Sequence, residues 1–468
     1  MAQQLYFSRD SEMRVKIGSD VWSIPVLEGF SFSQATNVSE VELNEMESTA
    51  GVSRRGRRAF NDSLSAAEFS FSTYVRPFKS AGSGAGKADD TINMHHAVEE
   101  VLWALFTGPA TYSDFSFTDQ FDITTGASHI NFSQSNISEL GPATDDGASI
   151  FFKMGDAEEI VYELKKAVIN EATINFDIDG IAQIDWSGFA SEISSGAIGT
   201  FDAATVNEAA TATTNFIRNR LTTLSVQAGS VTTPTIGGTP VVGGVGYTSV
   251  PSITFAAAPA GGVRAEGYAI VSGGAITKII LTNAGGGYLT APAITIGTAG
   301  QSQVATATCV INTTRDPNNK GAGNEDLESK YDLTLTGGSI TLTNNVSYVT
   351  PEELGIVNVA VGHVTGSRSV TGNFTCYLTE DTVGSTASRD LFDDMTALTE
   401  TTSNKFDLRF SIGGAAGTPR MEIHCPQAHI DIPTHSVEDL ISLETSFNAL
   451  PSTLDTADDA SITYVGSS

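Results

Sequence analysis

The chain has 468 residues, with 25 Lys and Arg against 54 Asp and Glu, a formal charge of −29, 45 Gly and 15 Pro. With 40% hydrophobic residues it can bury one large core or two to three ordinary ones, which excludes a disordered acidic chain. The acid excess argues against a protein that clamps phosphates, because Lys and Arg drive that binding, but not against one that nucleic acid passes without sticking.

The opening stretch Met1–Asp10 has no basic segment followed by an apolar one, and no apolar run approaches the roughly 18–20 residues that span a bilayer, so a chain made and kept in a cytosol is expected. Phe30-Ser-Phe32 and Phe69-Ser-Phe-Ser-Thr-Tyr74 alternate apolar with polar residues, which predicts antiparallel strands with one face on a core and one in water. Between them, residues 36–65 carry Glu40, Glu42, Glu45 and Glu47, then Arg54, Arg55, Arg57 and Arg58. A loop acidic at one end and basic at the other suits docking on a copy of itself; the alternatives are a solvated face and a phosphate grip, which the glutamates oppose. Ala81-Gly-Ser-Gly-Ala-Gly-Lys-Ala88 lacks the first Gly and the Ser or Thr of a phosphate-binding loop, so a flexible connection is expected.

Helical spacing appears in His96–Phe106, with Val98, Val101, Leu102 and Leu105 on one face and Glu99 and Glu100 on the other. Thr173–Ile178 alternates again, and Asp179-Gly180 marks a hairpin. From 228 to 312 the composition changes to Gly, Ala, Thr, Val and Ile with almost no charge. There Gly246-Tyr-Thr-Ser-Val-Pro-Ser-Ile-Thr-Phe255 recurs as Gly287-Tyr-Leu-Thr-Ala-Pro-Ala-Ile-Thr-Ile296, with Tyr247 and Tyr288 standing 288 − 247 = 41 residues apart. Two related all-β units are expected, with both tyrosines on the surface of the insert. The flanks, 216–226 and 331–340, read as the arms of one hairpin whose tip carries the insert.

Asp316–Gly321 begins like a calcium loop, but Lys320 and Leu327 stand where ligands are needed, so a turn is expected. A second helix is expected over Ser388–Leu398, striped by Leu391, Phe392, Met395 and Leu398 behind a Ser388 cap, followed by a strand over Phe406–Ile412. His424, Cys425, His429 and His435 cluster, yet neighbouring strand residues point to opposite faces, so ordinary strand residues are expected rather than a zinc site. Cys309, Cys376 and Cys425 are odd in number and widely spaced, which gives no disulfide framework. No nucleophile elbow or carboxylate pair stands out, so neither an enzyme nor a cofactor is expected.

The order strands, helix, hairpin occurs twice: 67–74 matches 370–377, and 168–178 onward to 189–190 matches 423–432 onward to 447–449. The expected division is therefore a first repeat over 1–200, a second over 201–227 and 313–468, and the insert over 228–312.

Trp22-Ser-Ile-Pro-Val-Leu-Glu-Gly-Phe-Ser-Phe-Ser33, the arginine-rich loop with Phe60-Asn-Asp62, Phe69-Ser-Phe-Ser-Thr-Tyr-Val-Arg-Pro77, Gly362-His-Val-Thr-Gly366 and Asn373-Phe-Thr-Cys-Tyr377 together resemble the major tail tube proteins of tailed bacteriophages. The resemblance implies a mainly β fold of two tandem tube domains, each of packed antiparallel sheets with a flanking helix, plus a small β-sandwich-like insert. It also implies a virion structural protein assembled in a host cytoplasm and forming stacked hexagonal rings; with two repeats per chain, three chains are expected to make such a ring, a self-associating trimer with pseudo-hexameric symmetry. Tape measure, tail terminator and tail tip or baseplate proteins would meet its ends, DNA would pass through without stable binding, and no membrane partner is implied. The rival class is a surface adhesin or carbohydrate-binding β-protein, favoured by exposed tyrosines on the insert.

Overall fold

In the computed structural model the described residues are 5–17, 20–42, 56–79, 95–107, 112–113, 116–117, 129–131, 148–155, 159–196, 201, 216–227, 230–231, 234–238, 241–258, 264–283, 288, 290–312, 330–364, 366–380, 387–389, 391–392, 406–413, 419–451 and 459–465. The principal strands of the first half are β1 (Ser11–Ile17), β2 (Asp20–Ile24), β3 (Ser31–Ser33), β4 (Thr36–Glu42), β5 (Arg57–Leu64) and β6 (Ala67–Tyr74). Helix α1 (Glu100–Thr107) follows, then β7 (Ser149–Met154), β8 (Ile160–Lys165), β9 (Val168–Asp177), β10 (Gln183–Ala190) and β11 (Glu192–Ser195). Those of the second half are β12 (Thr223–Gln227), β13 (Lys330–Asp332), β14 (Leu335–Thr343), β15 (Ser347–Val349), β16 (Gly362–Val364) and β17 (Ser369–Tyr377). They continue with β18 (Phe406–Ile412), β19 (Arg420–Ile430), β20 (Thr434–Val437), β21 (Ile441–Ala449) and β22 (Ser461–Val465).

The protein is mainly β, and its named strand pairs are antiparallel. One sheet has the order β11-β8-β7-β1-β2; the other runs β13-β12-β18-β19-β21-β17-β14-β9-β10-β6-β3, with β22 on β19 and β20 on β21. The same strand order occurs in both halves. β2-β1-β7-β8-β11 has its counterpart in β13-β12-β18-β19-β22, and β3-β6-β10-β9 has its counterpart in β14-β17-β21 followed by the end of β19 and β20. In the first half β8 and β9 are separate strands, broken at Lys166 in the left-handed conformation (φ 51°). The second half runs through the same place as the single strand β19. The halves meet edge to edge where β9 pairs with β14, from Glu171 opposite Thr343 to Asp177 opposite Gly337.

Alternation in sequence becomes alternation in burial. Along β6, Ala67, Phe69, Phe71 and Thr73 are buried while Glu68 and Ser70 are exposed, and β21 alternates in the same way. The apolar sides of both sheets, with Val15, Phe152, Ile174, Trp186, Phe374 and Phe447 among them, share one continuous core. Burial of each such side chain contributes about 1.5–3 kcal/mol. Helix α1 seals the core between the halves: the Trp103 ring packs edge-on against Trp186 of β10, 4.7 Å between centroids and 69° between planes, and its Nε1 donates to the Tyr464 hydroxyl of β22 at 2.8 Å. Asn344 Nδ2 donates to the Phe106 carbonyl at 2.7 Å, satisfying one of the acceptors that a helix end leaves open.

Several sequence expectations need correction. The first helix starts at Glu100, because His95–Ala97 is a strand paired with Pro77–Lys79. Glu99 and Glu100 were expected in solvent but are only 1% exposed: Glu99 Oε2 accepts from the Arg76 backbone N–H at 3.2 Å and sits beside Tyr464, because a short helix wedged between sheets has little free face. Of 388–398, residues 388–389 and 391–392 are helical and the rest lie outside the described residues, as do 81–88 and 316–327. Cross-strand registers set 168–177 against 429–438 rather than 423–432, because β19 does the work of two strands. Gln227 opposite Lys330 opens the β12–β13 pair, but residues from Leu335 onward cross to the other part of the large sheet as β14, so 331–340 is not one arm.

The insert is a nested ladder: 230–231 pair with 311–312, 235–237 with 306–308, 253–255 with 294–296, and 266–272 with 275–283. Its repeat has a geometric meaning, since Thr254 pairs directly with Thr295, its own counterpart 41 residues on (295 − 254 = 41). The two units are therefore related by a pseudo-twofold at that point. Tyr247 and Tyr288 are not on the surface, being 5% and 2% exposed. The Tyr247 hydroxyl accepts from Ala305 N at 2.9 Å in the second unit, and the Tyr288 hydroxyl accepts from Ala265 N at 3.0 Å in the first and donates to the Ala256 carbonyl at 2.9 Å. Each ring fills the core that a small two-unit ladder cannot otherwise close, while its hydroxyl satisfies a buried backbone N–H.

Candidate functional site: the polar sheet face, its edges and the projecting hairpins

The side of the large sheet turned away from the core is continuous and polar from β3 to β20. Its side chains bond across strands: Ser31 to Ser70 at 2.9 Å, Ser72 to Asp185 at 2.6 Å, Asn175 to Asp185 at 2.9 Å, Thr173 to Thr341 at 3.1 Å and Asn373 to Ser339 at 3.2 Å. The strands β3, β6, β10, β9, β14, β17, β21 and β20 contain no Lys or Arg, yet Glu68, Glu171, Asp177, Asp185 and Glu444 all stand on this face. Chemically it is a surface of short hydroxyls, amides and carboxylates that offers a polyanion no cation to hold. Sequence alternation exposed the two faces but not this segregation of charge, which appears only once the strand order is known.

Among the described residues both ends of this polar stretch lack a further strand: β3 pairs only with β6, and β20 only with β21. Open edges are pairing surfaces unless something covers them.

Between β3 and β6 projects the hairpin β4–β5, exposed along nearly its whole length. The expected separation of acid from base does not hold among its described residues. Glu42 pairs directly with Arg57, whose guanidinium lies 3.0 Å from Glu42 and 3.7 Å from Glu40, while Arg58 stands opposite Val41. An antiparallel hairpin folds its two ends onto each other, so the charges are offset internally; such exposed pairs contribute about 0–1 kcal/mol. Glu45, Glu47, Arg54 and Arg55 lie outside the described residues.

The counterpart in the second half, between β14 and β17, is the hairpin β15–β16, which the sequence reading missed. Its loop exposes Leu354, Ile356, Val357 and Val361, an apolar run without alternation that was visible in the sequence but was read as part of no element. The two hairpins touch: Leu64 N donates to the Asn358 carbonyl at 2.8 Å and Asn358 N to the Asp62 carbonyl at 3.0 Å. With Val38, Val41 and Phe60 of the first hairpin also exposed, the described residues of the two hairpins form one projecting ledge with apolar side chains along it.

The insert reaches the body of the protein through Arg420 at the start of β19. Its side chain, 3% exposed, lies 3.2 Å from Glu266 of the insert and 2.9 Å from Glu422 of its own strand. Nearby, His424 Nε2 stands 3.1 Å from Asp407 and 3.0 Å from Arg409, while Cys425 turns into the core. Among the described residues no helix is long and apolar enough to cross a membrane.

No family model matches the chain. It is 23% identical over 457 residues to the Tail tube protein pb6 of Escherichia phage T5, a match that covers 95% of this chain and 70% of that protein. This bears out the resemblance to phage tail tube proteins and with it a structural role in a virion tail.

Proposed function

We propose that this chain polymerises into stacked rings that form a phage tail tube, and that the tube conducts DNA during genome delivery. The observation that carries the reading is the twofold occurrence of one strand order, joined edge to edge by β9 and β14 with open edges left at β3 and β20. Such a chain is a duplicated tube domain, a first repeat over 1–200 and a second over 201–227 and 313–468, already carrying one of the joints that a ring repeats. Three chains then close a ring of six domains, and eight strands per chain give a barrel of 24.

At about 4.8 Å between strands and a tilt of about 35–45°, a 24-stranded barrel is roughly 45–50 Å across at the backbone, which leaves room for a duplex about 20 Å wide. The polar face lines this lumen, since the core and the second sheet lie on the other side. Its acid without base lets DNA slide rather than stick. The apolar ledge of β4–β5 and β15–β16, with Glu40, Glu42, Glu45, Glu47, Arg54, Arg55, Arg57 and Arg58 around the first hairpin, docks ring on ring. The insert, tied through Arg420 to the start of β19, away from the polar stretch β3 to β20, stands outside. Tape measure, terminator and tip or baseplate proteins meet the tube ends, and assembly takes place in the host cytoplasm. Tyrosine burial removes the feature that favoured the adhesin reading. Electron microscopy of the purified chain tests the proposal: long tubes are expected, and separate particles under all conditions would reject it.

A further inference from the structure

The joint inside the chain gives, residue by residue, a register with which the two outer edges can be compared. β10 pairs with β6 from Gln183 opposite Tyr74 to Ala190 opposite Ala67, and β21 pairs with β17 from Ser442 opposite Tyr377 to Ala449 opposite Val370. These two eight-residue registers align the halves without reference to sequence similarity. On the far side of β10, Thr173 faces Asp185 and Ile174 faces Ile184; on the far side of β21, Thr434 faces Glu444 and His435 faces Leu443. Thr173, Ile174 and Asn175 therefore correspond to Thr434, His435 and Ser436. At the other edge, Phe32 faces Phe69 and Ile340 faces Gly372, so Ser31, Phe32 and Ser33 correspond to Ser339, Ile340 and Thr341.

Within the chain, Thr173 pairs with Thr341, Ile174 with Ile340 and Asn175 with Ser339. We propose that β20 of one copy adds antiparallel to β3 of the next in the same register, with Thr434 opposite Ser33, His435 opposite Phe32 and Ser436 opposite Ser31. This rests on the ring reading above and names the edges that close the ring.

The side chains on the two edges fit that register. The hydroxyl pair Thr173–Thr341, 3.1 Å apart, is matched by the hydroxyls of Thr434 and Ser33. The small polar pair Asn175–Ser339 is matched by Ser436 and Ser31. One step further the pairs differ: Phe176 lies over Gly338, where a Cβ would come within 2.6 Å of the ring, whereas the corresponding pair, Val437 and Phe30, is apolar on both sides, with the Phe30 ring turned onto Phe152. Beyond that, Asp177 opposite Gly337 is matched by Glu438 and Gly29. All four residues of β20 are exposed, and Ile432, Val437, Leu440 and Ile441 form an exposed apolar margin beside this edge. A second copy of this chain is the occupant these features describe.

The test uses full-length protein assembled into tubes. The double variants Ser31→Cys with Ser436→Cys and Ser33→Cys with Thr434→Cys place thiols on residues directly opposite in the proposed register. Such residues have Cα atoms about 4.5–5.5 Å apart, within the roughly 4.4–6.8 Å that a disulfide spans. Ser31→Cys with Thr434→Cys is shifted by two residues on the same face, to about 7–8 Å. Under oxidation, denaturing gels without reductant should show covalent trimers for the in-register pairs and monomer for the shifted pair. The single variants control for Cys309, Cys376 and Cys425. Cross-linking of only the shifted pair overturns the register, and tubes that cross-link in neither arrangement overturn the choice of edges.

Hydrogen exchange on the unaltered protein guards against variants that fail to assemble. Ladder amides within 31–33 and 434–437 should slow by about tenfold or more on tube formation. Unchanged exchange at both edges in normal tubes overturns this inference while leaving the tube function standing, whereas absence of tubes from the unaltered chain rejects both.

Discussion

Glu99 shows how the position of a single residue sets a pH dependence. Its carboxyl is buried between Arg76 and Tyr464, and burial pushes its pKa up from 4.5 to about 7 against the smaller pull of its hydrogen bonds and of Arg76. The folded state thus holds this proton more tightly than the unfolded state does. The stabilisation is complete below about 4.5 and is lost as pH rises to about 7, a change of roughly 3 kcal/mol. Glu99→Gln keeps the shape and removes the titration. The expected result, read by thermal unfolding at pH 5 and pH 8, is that the variant gains stability relative to the parent on going to pH 8. An unchanged difference between the two proteins at both pH values would contradict a buried, proton-holding carboxyl. Helical spacing had set Glu99 on a wet face; only the sheet packed over that face reverses the reading.

Among elements, the strands were legible because a half-buried antiparallel strand must alternate, and β6, β9, β18 and β21 do. The helix boundary was not, because His96 obeys a strand partner, Phe78, that no local pattern announces. Tyr247 and Tyr288 look the same in sequence whether their hydroxyls meet water or a buried N–H 58 or 23 residues away. The projecting hairpins carry a prediction of their own. Phe60→Asp combined with Leu354→Asp places charge on the apolar ledge without touching the core, so the folded monomer should persist while tube growth fails by sedimentation. Normal tubes from that variant would remove the ledge from the stacking contact. A second prediction concerns the insert, whose ladder closes on itself and meets the body at Arg420 and at β22. Replacing 228–312 by a short turn between β12 and β13 should leave Arg420 paired with Glu422 and preserve folding and tubes. Insoluble protein with every turn length tried would mean that the insert shares the main core.

For the whole molecule, charge and topology act together. A formal charge of −29 argues against a phosphate clamp, and strand order then gathers Glu68, Glu171, Asp177, Asp185 and Glu444 on one face whose strands carry no Lys or Arg. Assembled tubes should therefore show no measurable affinity for double-stranded DNA at about 0.15 M salt, where screening reaches roughly 8 Å. Substituting Lys for Glu68, Asp185 and Glu444 should create salt-sensitive retention in a co-sedimentation assay without preventing assembly. Tight binding by unsubstituted tubes would refute a sliding channel.

The number of chains in a ring tests the central claim most directly, because it follows from the duplicated strand order once a ring holds six tube domains. Cryo-electron microscopy of tubes grown from the purified chain should show rings of three chains with six similar domains around an open lumen, each internal β9–β14 joint alternating with a joint between chains. Rings of six chains, or a lumen lined by β11-β8-β7-β1-β2 instead of the polar face, would contradict it.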